Sequence, residues 1–114
     1  SGYLLKVIKM FFELRQYPVH DGKMDEWVKL MDEVIIPFQK SVGMIVVGSF
    51  VDAPNNRYVW IRRFESEEEK TALYAAAYQN DFWQNEMSPQ IGSYIDRDGI
   101  VVDILTATPR SIIQ

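Results

Sequence analysis

From Phe11 to Tyr17 the chain alternates. Phe12 and Leu14, flanked by Met10 and Gln16, point one way; Phe11, Glu13, Arg15 and Tyr17 point the other. This period of two predicts a strand that ends near Tyr17, because Pro18 offers no backbone donor. Tyr3–Ile8, largely apolar, extends the strand or leads into it. Beyond the turn His20-Asp21-Gly22 the period changes. Met24, Trp27, Val28, Met31, Val34, Ile35, Phe38 and Val42 recur at steps of three and four, with Lys23, Asp25, Glu26, Lys29, Asp32 and Glu33 on the other side. That is one apolar stripe on a helix of about five turns. Asp21 is placed to cap it, Pro37 should kink or end its regular part, and Gly43 suits its stop.

Met44–Val51 is apolar and β-branched and reads as a buried strand, with Gly48-Ser49 marking a bulge or a close backbone approach. The turn-rich Asp52-Ala53-Pro54-Asn55-Asn56 joins it to a strand over Arg57–Phe64, predicting an antiparallel hairpin. Ser66-Glu67-Glu68-Glu69 has the spacing of a capping box. A helix follows through Tyr78, rich in alanine, which favours helix and permits close packing on a sheet. Asn80-Asp81 interrupts it. Phe82–Met87 forms a second short helix, Ser88-Pro89 another helix start, and Asp96-Arg97-Asp98-Gly99 a turn. Ile100–Thr106 is the last strand, and the tail from Pro109 reads as an extended arm.

The order β-α-β-β-α-β, with no linker or repeat, predicts one α+β domain over residues 1–114. It is a ferredoxin-like protomer: a four-stranded antiparallel sheet with both helices on one face. The strands carry apolar residues on both faces, so the uncovered face requires a partner. Sheet-to-sheet pairing in a homodimer, giving a dimeric α/β barrel, is the expected solution.

Charge and composition narrow the function. The chain has 114 residues, a net charge of −4 and a pI of about 4.9, which argues against nucleic acid and against a basic membrane-surface helix. No apolar run approaches the ~20 residues of a membrane helix. With no cysteine and a single histidine, disulfides, thiolate catalysis and the usual zinc sites are excluded, and neither a metal nor a cofactor is expected. A cytoplasmic location fits.

Several segments resemble the NIPSNAP family. Phe12-Glu13-Leu14-Arg15-Gln16-Tyr17, followed by Asp21-Gly22-Lys23-Met24-Asp25-Glu26-Trp27, is similar to that family's opening strand and helix start. Arg63-Phe64-Glu65-Ser66-Glu67-Glu68-Glu69 and Asn80-Asp81-Phe82-Trp83-Gln84 resemble two later junctions. Asp21 and Phe82 stand where proline is usual, and Phe64 stands where a tyrosine would supply a hydroxyl. The resemblance implies a dimeric α+β barrel. The wider superfamily includes cofactor-free oxygenases, isomerases, cyclases and haem enzymes as well as members without known activity, and a fold does not fix a function.

The candidate chemistry lies on the first strand. Glu13, Arg15, Tyr17 and His20 are the candidate catalytic residues, and Trp60, Arg62 and Trp83 the candidate ligand contacts. Arg15 or Arg62 could hold a carboxylate or enolate oxygen. Glu13 could act as a base if burial raises its pKa, and Tyr17 could donate a proton. A structural reading stands beside this one: Glu13 and Arg15 pair at the dimer interface and fix its register. His20 is either a base near neutral pH or a solvated turn residue. Trp27, Trp60, Trp83, Tyr74, Tyr78 and Tyr94 either line an apolar pocket or form core. Two functions follow: a protein that binds or transforms a small apolar, aromatic or keto compound, or a non-catalytic dimeric interaction module.

Overall fold

The chain builds β1 (Phe11–Pro18), α1 (residues 24–41), β2 (Ile45–Val51), β3 (Arg57–Phe64), α2 (Glu67–Tyr78), α3 (residues 81–91), a 3-10 turn (Arg97–Gly99) and β4 (Val101–Leu105). The computed structural model describes residues 9–114, so the expectation for Tyr3–Ile8 lies outside the described residues. The strands form one antiparallel sheet in the order β2-β3-β1-β4. β1 is central. Its register sets Glu13 opposite Arg62, Arg15 opposite Trp60 and Tyr17 opposite Tyr58. Alternation then places these six side chains on one face, and the helices cover that face.

α1 runs about five turns, as its apolar stripe predicts, but it is not uniform. α-Helical Met24–Leu30 and Ile36–Ser41 flank a π turn at Met31–Ile35, where the Ile36 N–H donates to the Met31 carbonyl. The distortion falls one turn before Pro37, and the helix continues past it. Asp21 does not cap the helix. The Lys23 N–H donates to the His20 carbonyl at 3.0 Å, and this turn, with Gly22 at φ 74°, places Lys23 at the boundary without a side-chain cap. Gly43 ends α1 at φ 106°, a left-handed conformation that glycine adopts without strain.

Ser66 caps α2: its Oγ accepts from the Glu69 N–H at 3.1 Å, while Glu69 Oε1 reaches back to the Glu65 N–H at 3.1 Å. Ser66→Ala is expected to cost about 1 kcal/mol in a urea melt; a change below a few tenths would mean that the Glu69–Glu65 contact suffices. α3 is continuous through Ser88 and carries a second π turn at Trp83–Met87.

β2 is bulged between Val46 and Gly48. It is not a buried strand, because it lies at the sheet edge and much of it is exposed. The tail is not an extended arm. It turns at Pro109-Arg110 and folds back, with the Ser111 N–H donating to the Thr108 carbonyl. Ser111 and Ile113 lie beside Phe12 and Ile61 on the face opposite the helices, and Arg63 Nε donates to the Gln114 carbonyl at 2.8 Å.

The core sits between sheet and helices. Its larger part gathers Tyr17, Trp27, Met31, Ile35, Tyr58, Trp60, Ile91 and Ile95; a smaller part holds Phe11, Met44, Phe64 and Ala77. No helix among the described residues is long and apolar enough to cross a membrane.

Candidate functional site

Arg62 is fully buried, and its guanidinium is saturated. Nη2 donates to Glu13 Oε1 at 2.5 Å and to the Tyr74 hydroxyl at 2.7 Å, and Nε donates to Glu13 Oε1 at 3.2 Å. Nη1 donates to Gln39 Oε1 at 2.8 Å and to the Tyr78 hydroxyl at 2.6 Å. The guanidinium also lies over the rings of Trp60 (4.7 Å) and Tyr74 (5.1 Å). Glu13 and Gln39, each 1% exposed, are held from β1 and α1. Tyr74 and Tyr78 come from successive turns of α2. Tyr74 donates to Glu13 Oε2 at 2.6 Å, and Lys70 Nζ stands 3.2 Å from the same oxygen.

This environment decides the state of Glu13. Burial alone would raise its pKa. The Arg62 guanidinium, the hydrogen bonds from Tyr74 and Arg62, and Arg15 more than reverse that and hold it at about 2. The raised pKa that a base at this position needs is therefore not present; Glu13 is an ionised anchor for three cations.

One residue further along each strand face the character changes. Arg15 Nε donates to the Tyr17 hydroxyl at 2.9 Å, and Trp60 Nε1 donates to the same oxygen at 2.9 Å. Burial raises the Tyr17 pKa, so the phenol keeps its proton at neutral pH. Beside this trio lies a cavity of about 110 Å³. Its walls are mainly apolar: Met31, Ile35, Ile91, Ile95 and Ile100, with the rings of Trp27, Trp60 and Trp83. Arg15, Tyr17, Tyr78 and Arg97 add the polar groups. Arg97 is exposed and Trp83 and Ile100 are half-buried, which sets the mouth between α3 and the turn before β4. Both π turns contribute lining, Met31 and Ile35 from one and Trp83 from the other. A π turn widens a helix locally and often marks a functional site.

Of the sequence candidates, Arg15, Tyr17, Trp60 and Trp83 meet at this cavity. Glu13 and Arg62 stand behind it in the saturated cluster. His20 is apart: it is exposed, its Nε2 lies 3.0 Å from the Gly92 carbonyl, and it ties the turn after β1 to the end of α3. Trp27 and Tyr78 line the cavity as well as packing in the core, whereas Tyr74 belongs to the cluster and Tyr94 packs on Trp27. Gln39, Lys70 and Arg97 were not among the candidates. Gln39 had a signal, since it stands four residues after Ile35 on the apolar stripe. Among the described residues no group of three or more His, Asp or Glu side chains could hold a metal ion.

A four-stranded antiparallel sheet carrying its helices on one face, with a pocket between the layers, is an α+β protein of the ferredoxin-like class. The NIPSNAP family model matches residues 12–111, and the chain belongs to the NIPSNAP family. Two solved structures from Agrobacterium tumefaciens resemble it. One NIPSNAP family protein is 24% identical with a TM-score of 0.82, over 92% of this chain and 99% of that one. The second, a NIPSNAP family protein with unknown function, is 25% identical with a TM-score of 0.81, over 94% and 96%. A putative antibiotic biosynthesis monooxygenase from Bacteroides thetaiotaomicron shares the fold at 12% identity and a TM-score of 0.53, over 90% of each chain. No curated protein matches.

Proposed function

We propose that this NIPSNAP protein binds a small keto or aromatic compound in the cavity between its sheet and helices, and that Arg15 and Tyr17 stabilise negative charge on the ligand's oxygen. The observation that carries this reading is the cavity itself, apolar-walled, with a cation and a phenol converging on one side. Donors fixed in a water-poor site favour an oxyanion, the feature that isomerases, cyclases and cofactor-free oxygenases share. Trp60 holds Tyr17 and Trp83 closes the mouth, while Glu13 and Arg62 position Arg15 and the helices. A packed interior would have favoured the interaction-module reading; the open volume supports a ligand.

Assembly as a homodimer is part of the proposal. The face opposite the helices exposes Ile45 (47%), Phe50 (54%), Val101 and Leu105, a patch that association would bury. Native mass spectrometry tests both parts. The expected result is a dimer carrying a discrete small-molecule mass, with the dimer lost in Phe50→Lys and the extra mass lost in Ile91→Phe, which fills the cavity. A monomeric wild type would remove the dimer proposal. An Ile91→Phe protein that kept the mass would move the ligand elsewhere.

A further inference from the structure

A phenol has one proton to donate and two lone pairs that accept. Tyr17 accepts from Arg15 Nε and from Trp60 Nε1. Both lone pairs are engaged, and its proton has no acceptor among the described residues. Tyr78 accepts from Arg62 Nη1 at 2.6 Å and from Gln39 Nε2 at 2.8 Å, and its proton is left in the same way. Tyr74 differs, because it donates to Glu13. The Trp27 Nε1 and the Tyr58 hydroxyl are also buried without a partner, but both are closed to a contact the size of water, so neither adds a donor to the cavity. Tyr17 and Tyr78 both line the cavity described above.

That lining contains no carboxylate, amide or imidazole that could receive these protons. Its charged members are Arg15 and Arg97. Behind the wall, the single carboxylate of Glu13 faces Arg62, Arg15 and Lys70. A chain of net charge −4 has thus gathered cations and hydrogen-bond donors here. Buried donors left unpaired are costly, and a ligand made of acceptors relieves that cost.

Resting on the small-molecule reading above, we infer that the cavity takes a small organic anion, a carboxylate or enolate, whose oxygens accept from Tyr17 and Tyr78 and lie against Arg15. The size is bounded. A cavity of ~150 Å³ accepts benzene, with six non-hydrogen atoms; about 110 Å³ suits a smaller compound of roughly five, such as propionate, and a short 2-oxo or 3-oxo acid would reach into the open mouth.

The test is calorimetry with propionate, 2-oxobutanoate and acetoacetate against their uncharged amides. Wild type should bind at least one acid about tenfold more tightly than its amide, and Arg15→Gln should bring that ratio near one. Tyr17→Phe, with its fold checked by circular dichroism, should weaken acid binding while the Ile91→Phe protein binds neither form. Amides bound as well as or better than the acids would overturn the anion and leave the pocket standing. No binding by any acid or amide would overturn both.

Discussion

Replacing Arg62 with methionine is expected to destabilise the fold by about 3–5 kcal/mol, the cost of leaving a buried charge without its partner. Arg62 is 0% exposed and joins three elements around the site: Glu13 on β1, Gln39 on α1, and Tyr74 and Tyr78 on α2. Methionine fills similar volume and supplies no donor. Glu13 keeps the Tyr74 hydrogen bond, but its only cations are then Lys70 and Arg15, at 3.2 and 3.5 Å, both on partly exposed side chains. Urea melts of Arg62→Met, Glu13→Leu and the double variant separate charge from packing. Removing both ends of a buried pair is far less costly than removing one, so the double variant should recover a large part of the loss. A double variant no more stable than Arg62→Met would place the effect in the aromatic packing around the guanidinium instead.

Acid should reveal the same cluster. The Glu13 carboxyl titrates at about 2 in the folded protein, against an ordinary value of 4.5. The unfolded chain therefore binds this proton first. The resulting stability is complete above pH 4.5 and is lost as the pH falls from there to 2. A shift of that size on a 1% exposed group corresponds to about 3 kcal/mol. Urea melts at pH 7, 4 and 2.5 should show wild type weakening steeply across this window, and Glu13→Gln weakening less. Parallel slopes for the two proteins would assign the acid sensitivity to the other carboxylates.

Much of the frame is legible in the residues. Alternation along Phe11–Tyr17 places Glu13, Arg15 and Tyr17 together, and the structure puts them on the helix-covered face. Ser66 and Glu69 mark a helix start by spacing alone. Other features are decided by tertiary partners. Whether β2 is central or at an edge is not written in its β-branched composition. Asp21 has the chemistry of a cap, yet the turn at His20–Lys23 carries it outside the helix. Gln39 looks like a break in the apolar stripe until Arg62 is seen across from it. The burial of Glu13 was foreseeable, but its pKa depends on three cations that arrive from other elements, so its direction was not. Pro37 signals disturbance, while the π turn before it leaves no mark in the spacing, because the residues on either side of it still recur at three and four.

That turn has a consequence for the pocket. A π turn holds one residue more than an α-helical turn over the same path. A uniform α-helix one residue shorter between Met31 and Ile35 would therefore follow that same path and keep the segments before and after it facing as they do. Met24, Trp27 and Gln39 would keep their seats, but the bulge that sets Met31 and Ile35 against the cavity would flatten. Strand register would be untouched. The presence of the pocket is therefore a matter of insertion and deletion as well as of residue identity: a chain can preserve every polar side chain named above and still lack the site through the loss of a single peptide unit.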